Sequence, residues 1–147
     1  MSAFLDSSVL VAALAPDEAG HPESLALLTS GGNFIYSHAL LETYSTLTGG
    51  RLGVKVEADF AARLLSQTIL PRVRVIELGI GEIVTALGTA RMRGVRGGGV
   101  YDYMHLFAAM KVNATVFYTF NLADFQHLQR PGDPEIRLPS SRNLSGT

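Results

Sequence analysis

Four carboxylates spread along the 147-residue chain, Asp6, Glu42, Asp102 and Asp124, are the side chains whose types and settings could do chemistry. Asp6 directly follows the apolar Ala3-Phe4-Leu5, and Asp124 follows the run Ala114 to Thr119. Glu42 and Asp102 fall in or near the first turns of two amphipathic segments. If the four converge, like charges at ~4 Å repel by about 4 kcal/mol per pair at an effective dielectric near 20. Without a counter-charge they would protonate or move apart. A hard divalent cation offsets that repulsion, and an all-oxygen donor set favours Mg²⁺ or Mn²⁺ over zinc or copper. The chain contains no cysteine, which removes disulfides and thiolate metal centres from consideration.

The elements that would position these acids can be read from periodicity. Ala3 to Leu5 is a short buried strand, and Ser7 to Leu14 a helix ended by Pro16. Pro22 suits the first turn of a helix to about Leu28, closed by Gly31-Gly32. Asn33 to Tyr36 reads as a second strand. Ser37 then caps a helix to about Leu47, with Leu40, Tyr44 and Leu47 on one stripe and Glu42 on another face. Glu57 to Thr68 is a helix with Phe60, Leu64 and Leu65 pointing one way, and the β-branched Val73 to Leu78 is a third strand. Gly81 to about Met92 is a helix, Arg93 to Gly99 a basic flexible loop. Tyr103, Leu106, Phe107 and Met110 mark a helix opening near Asp102. Ala114 to Thr119 is a fourth strand, Asn121 to Phe125 the turn leaving it, and Glu135 to Leu138 a last short strand.

Strands separated by helices predict an α/β fold, a three-layer α/β/α sandwich around a central, mainly parallel sheet. In such sheets the site lies beyond the carboxyl ends of the strands, near the switch in strand order. Residues 1–139 are expected to form one domain, with 140–147 a frayed, Ser/Gly-rich tail. The hydrophobic fraction of 47% fits a globular chain whose apolar excess leaves room for a partner interface. No basic leader precedes the first apolar stretch and no run is long enough to span a bilayer, so a cytoplasmic protein without membrane association is expected. A formal net charge of −1 supplies no whole-chain attraction to nucleic acid, so phosphate would have to be gripped locally. Arg91, Arg93 and Arg96, just ahead of Asp102, could do so; a solvated helix end explains them equally well.

Each acid also has a plainer reading. Asp102 could be an N-cap, Asp124 could shape a turn, and Glu42 could be a solvated helix residue. Asp6 has fewer structural excuses, since an aspartate after a buried strand needs a partner or a ligand. His105, one turn after Asp102, could touch a carboxylate or substrate, although a histidine on a helix is more often structural. His21, His38 and His127 lack the spacing of a compact zinc motif, and Gly97-Gly98-Gly99 lacks the lysine of a phosphate-binding loop. A phosphatase of the haloacid-dehalogenase type would need a second aspartate where Ser8 stands.

Taken together, these pieces resemble the PIN-domain family and, within it, the VapC-type toxins of prokaryotic toxin–antitoxin pairs, over residues 2 to 139. The resemblance rests on Phe4-Leu5-Asp6-Ser7-Ser8-Val9-Leu10, on Glu42, and on Tyr101-Asp102 with Leu106 and Ala108-Ala109. Its last element is Thr119-Phe120-Asn121-Leu122-Ala123-Asp124-Phe125. It implies a Mg²⁺- or Mn²⁺-dependent endoribonuclease, commonly a homodimer, inhibited by a cognate antitoxin. Asp6, Glu42, Asp102 and Asp124 match the family's acidic positions, with Asp6, Asp102 and Asp124 as metal ligands. Thr119 matches a hydroxyl at the end of strand four and, with Ser7 and Asn121, would position substrate. Asn121 replaces an aspartate found in many members, which weakens the case for a second resident metal. The implied reaction is hydrolysis of RNA phosphodiesters by cation-activated water. The competing reading is a non-catalytic PIN-fold module that binds RNA or a partner.

Overall fold

The computed structural model describes residues 2–50 and 55–140. The apolar triplet Ala3–Leu5 forms β1, buried along its whole length, and runs into α1 (Ser7–Leu14). Helix α2 (His21–Ser30) leads to β2 (Asn33–Tyr36) and α3 (His38–Thr48). Helix α4 (Ala58–Leu64) continues through a π turn at Leu65–Ile69 and a 3₁₀ turn at Leu70–Arg72 into β3 (Val73–Ile76). Helix α5 (Ile80–Thr89) ends in a 3₁₀ turn, Ala90–Arg93, and α6 (Gly99–Lys111) precedes β4 (Val116–Tyr118). Helix α7 (Leu122–Leu128) and β5 (Glu135–Arg137) complete the described chain.

The five strands are all parallel, in the order β3-β2-β1-β4-β5. Side chains of a strand alternate between faces, and each face of the sheet has its own core. Ala3, Leu5, Val116 and Tyr118 pack with Val9, Leu10, Ala13 and Leu28 on one side. Phe4 and Phe117 face the other side, stacked at 5.6 Å, among Tyr103, Leu106, Phe125 and Leu128. This is the three-layer α/β/α sandwich expected from the strand–helix alternation. Among the described residues no helix is long and apolar enough to cross a membrane.

Several local expectations change. Ser37 makes no side-chain capping bond, and Phe60 is 48% exposed because Ala61, Leu65 and Ile69 carry the inward stripe of α4 and its π turn. The segment expected to be a turn at Asn121 to Phe125 is the start of α7, anchored by the buried Phe125 and Leu128. In the basic segment, Gly94 takes a left-handed φ of +69° that closes the 3₁₀ turn, and the helix α6 already begins at Gly99. Of the tail expected at 140–147, residues 141–147 lie outside the described residues.

Candidate functional site

The carboxyl ends of β1 and β4 sit side by side, and the chain leaves them toward opposite faces of the sheet, α1 into one core and α7 into the other. That divergence is the switch in strand order and opens a crevice above the sheet. Asp6 occupies its floor, 3% exposed. It caps α1: its Oδ1 accepts the backbone N–H of Val9 at 3.3 Å. Two hydroxyls also converge on it. Ser8 Oγ donates to Oδ1 at 2.5 Å, and Thr119 Oγ1 donates to Oδ2 at 2.6 Å.

Both hydroxyls are themselves held by the β4–α7 connection. Phe120 N–H donates to Ser8 Oγ at 3.0 Å, and Asn121 N–H donates to Thr119 Oγ1 at 2.9 Å. A hydroxyl has one proton and two lone pairs, so accepting those amides leaves each proton directed at Asp6. The Phe120 ring packs over Gly20, whose φ of +80° and missing Cβ are both required, since a Cβ there would meet the ring at 2.4 Å. Burial pushes the Asp6 carboxyl above its ordinary range, and the bonds from Ser8 and Thr119 only partly offset that.

Asp102 is the opposite case. It lies inside the first turn of α6, four positions after the N-cap Gly98, and accepts no hydrogen bond among the described residues. An N-cap role is thereby excluded. Burial pushes its carboxyl up to about 6, and the charges of Asp124, Asp6 and Glu42 act in the same direction against the opposing pull of His105. Asp124, exposed in the first turn of α7, faces Asp102 across a cleft of ≈ 310 Å³ whose lining includes Gly94, Arg96, Gly99 and His127. Glu42 is half-buried on α3 and paired with the buried His105, Nε2 to Oε1 2.5 Å. Burial raises its carboxyl, but His105, with His38 and Ser7 assisting, more than reverses this and leaves it below the ordinary range.

The PIN-domain family matches residues 3–131 of the chain. The chain belongs to the PIN-domain family. Among solved structures, VapC20 of Mycobacterium tuberculosis, described as a sarcin–ricin loop cleaving toxin, is 21% identical. The match has a TM-score of 0.66 and covers 90% of this chain and 99% of that one. VapBC2 from Rickettsia felis, bound to a DNA fragment from its promoter, is 21% identical with a TM-score of 0.64, covering 95% and 100%. VapBC-1 from nontypeable Haemophilus influenzae is 19% identical with a TM-score of 0.59, covering 94% and 98%. At these identities the likeness is one of fold. No curated protein sequence matches the chain.

In this PIN domain the four acids share one electrostatic field but are not a ready-made ion cage. Among the described residues no three His, Asp or Glu side chains stand close enough together to hold an ion. The hydrogen bonds explain this: Asp6 is turned to Ser8 and Thr119, and Glu42 to His105, so only Asp102 and Asp124 face the same cleft. The donors nevertheless suit a hard cation. They are all carboxylate oxygens, and the Asp102 carboxyl is raised first by desolvation and further by the charges of Asp124, Asp6 and Glu42.

The other sequence candidates divide. Ser7 and Asn121 line a neighbouring hollow with Ser8 and Phe120, and Asn121 engages the site through its backbone N–H. Arg96 lies on the cleft and Arg91 is exposed. Arg93 is withdrawn from the phosphate-gripping role: its guanidinium is ion-paired with Asp133, donates to Leu128 O and lies 5.6 Å over the Tyr103 ring. Sequence reasoning missed Ser8, whose Asp-x-Ser spacing is a local hydroxyl-to-carboxylate signal. It also missed His127, which reaches the cleft only because α7 packs beside Gly94.

Proposed function

We propose that this PIN domain is a divalent-cation-dependent endoribonuclease of the VapC type, the toxin of a toxin–antitoxin pair. The observation that supports the reading is Asp102, a half-buried carboxylate at a strand-order switch with no hydrogen bond among the described residues. It is raised to about 6 chiefly by desolvation, with three other acids adding to the shift. A perturbed carboxyl in a cleft supports a functional site. The Mycobacterium structure described as a sarcin–ricin loop cleaving toxin shares the fold and supports the choice of RNA as substrate, and the VapBC assemblies share the fold.

Asp6, Asp102 and Asp124 would hold Mg²⁺ or Mn²⁺, which when bound supplies Lewis-acid stabilisation of the phosphodiester's developing charge and a more acidic water. Ser8 and Thr119 fix the Asp6 carboxylate in one orientation, which lowers the reorganisation needed at the moment of reaction. His105 holds Glu42 ionised and in one orientation, so Glu42 would act as a fixed negative charge felt by Asp102 rather than as a proton acceptor. Arg96, which lines the same cleft as Asp102 and Asp124, can contact a backbone phosphate. Residues 1–139 would form the working unit, cytoplasmic, homodimeric and held in check by an antitoxin.

Cleavage of total RNA by purified protein, followed by sequencing of the new ends, tests the reading. Asp102→Asn should abolish cleavage by about a hundredfold or more while the protein remains folded. Mg²⁺ at about 100 times its Kd should raise wild-type stability by about 2.7 kcal/mol and leave Asp102→Asn nearly unmoved. Unchanged cleavage after chelation would exclude the mechanism. Absence of both cleavage and calorimetric cation binding would favour a non-catalytic module.

A further inference from the structure

Beside the carboxylates runs a ladder of rings that the proposed chemistry does not use. Tyr36, at the end of β2, stacks on His38, the first residue of α3, at 6.3 Å and 21°. His38 stacks in turn on Tyr101 of α6 at 5.8 Å and 16°. These separations lie in the range of offset-stacked rings. The inner end is tied to the site, because Tyr36 meets His105 edge-on at 5.4 Å and His105 holds Glu42. The outer end is open: Tyr101, the residue before Asp102, is 57% exposed. A hollow of ≈ 240 Å³ beside it is completed by Ile83, Leu87, Val100 and Met104.

We infer that Tyr101, backed by His38, is a stacking platform for an unpaired nucleobase adjacent to the phosphate being cleaved. The inference rests on the ribonuclease reading for its substrate class. An exposed tyrosine usually loses rotamer freedom when it binds something; here His38 already fixes the ring, so the ordering cost is reduced in advance. Every base has a π-face, so the platform grips single-stranded RNA with little dependence on sequence. It also balances the chain's lack of net positive charge. Arg96 and His127 line the cleft that holds Asp102 and Asp124, and Tyr101 directly precedes Asp102 on α6, so a strand lying over the acids would have a phosphate contact in the cleft and a base contact next to the same aspartate in sequence. An apolar protein partner would use the hollow but has no need of parallel rings continuous with Glu42.

The test is binding of single-stranded oligouridylate and oligoadenylate to the full chain in calcium buffer, followed by fluorescence anisotropy. Tyr101→Ala and Tyr101→Leu should each weaken both by about tenfold, within what stacking one base supplies. Tyr101→Phe should bind as wild type, and all three should match wild type in self-association by sedimentation. A Tyr101→Leu protein that binds normally would show that only apolar contact matters and would overturn the platform. Altered self-association with unchanged RNA affinity would assign the face to a protein interface and overturn it too. Photocrosslinking of 5-iodouridine RNA to the unmodified protein needs no variant to fold; attachment at Tyr101 is expected, and attachment only elsewhere counts against the inference. Cleavage is scored separately. A wild type that cuts RNA with Tyr101 irrelevant sinks the platform alone, whereas one that stacks bases without cutting sinks the ribonuclease reading alone.

Discussion

The floor and the rim of the crevice treat the same functional group in opposite ways. On the floor, Asp6 is buried yet fully partnered by Ser8, Thr119 and the Val9 amide. On the rim, Asp102 is less buried yet accepts no hydrogen bond and faces Asp124. Arginines follow the same division, with Arg93 locked to Asp133 and Arg96 unpaired among the described residues at the cleft. The difference separates residues whose polar groups are satisfied within the fold from residues that, on the proposed reading, a cation or phosphate would satisfy. Satisfied polar groups stabilise the fold, whereas unsatisfied charge costs stability and is retained where binding uses it.

Substitutions can break that contrast. The largest effect is expected at Arg93: Arg93→Gln leaves Asp133, only 5% exposed in its side chain, as a buried unpaired charge. It should cost about 3 kcal/mol in urea unfolding. Next comes Asp6→Ala, which removes a helix cap and orphans two hydroxyl protons. A loss of about 2 kcal/mol is expected, the lost bonds outweighing relief from burying a charge. Asp102→Ala should go the other way in chelator-washed protein. A shift from 3.8 to about 6 is nominally about 3 kcal/mol, and solvent screening at a partly exposed site reduces the expected gain to on the order of 1 kcal/mol. If Asp102→Ala destabilises instead, the rim is not under charge strain.

Acidity sharpens the same point. Because the folded Asp102 carboxyl is raised, the native state binds its proton more tightly than the unfolded chain does. Wild-type stability from this group therefore rises as pH falls through about 6 toward 3.8. The advantage of Asp102→Ala should be full at neutral pH and should vanish near pH 4, read from paired thermal melts. An advantage that grew on acidification would reverse the assignment. The smallest effect is at Arg96. Arg96→Gln should leave stability unchanged and reduce the slope of log binding constant against log salt for RNA by about 1, while an identical slope would remove Arg96 from the phosphate path.

Much of this was legible from residue order. The triplet Ala3-Phe4-Leu5 ending at Asp6 and the helix carrying Asp102 follow from local periodicity, and both stand within a few residues of where the pattern puts them. The roles of the two aspartates were harder to read. By sequence Asp102 could equally be a cap or a site residue, and Asp6 calls for a partner or a ligand. The structure makes Asp6 the cap, partnered by Ser8 and Thr119, and leaves Asp102 without a hydrogen bond among the described residues. A cap depends on where a helix starts, and the start of α6 was set three residues earlier by the Gly97 to Gly99 turn.

The sequence alone determined the alternation of strands and helices, and with it a parallel sheet with helices on both faces, because side-chain periodicity is a local property of the backbone. It also supplied the four acids and their order. Only the tertiary structure decided which of them are satisfied. Thr119 reaches Asp6 across 113 positions of chain, and His105 reaches Glu42 across 63. No local pattern encodes such pairings; the strand order β2-β1-β4 and the packing of α3 against the α6 side of the site create them.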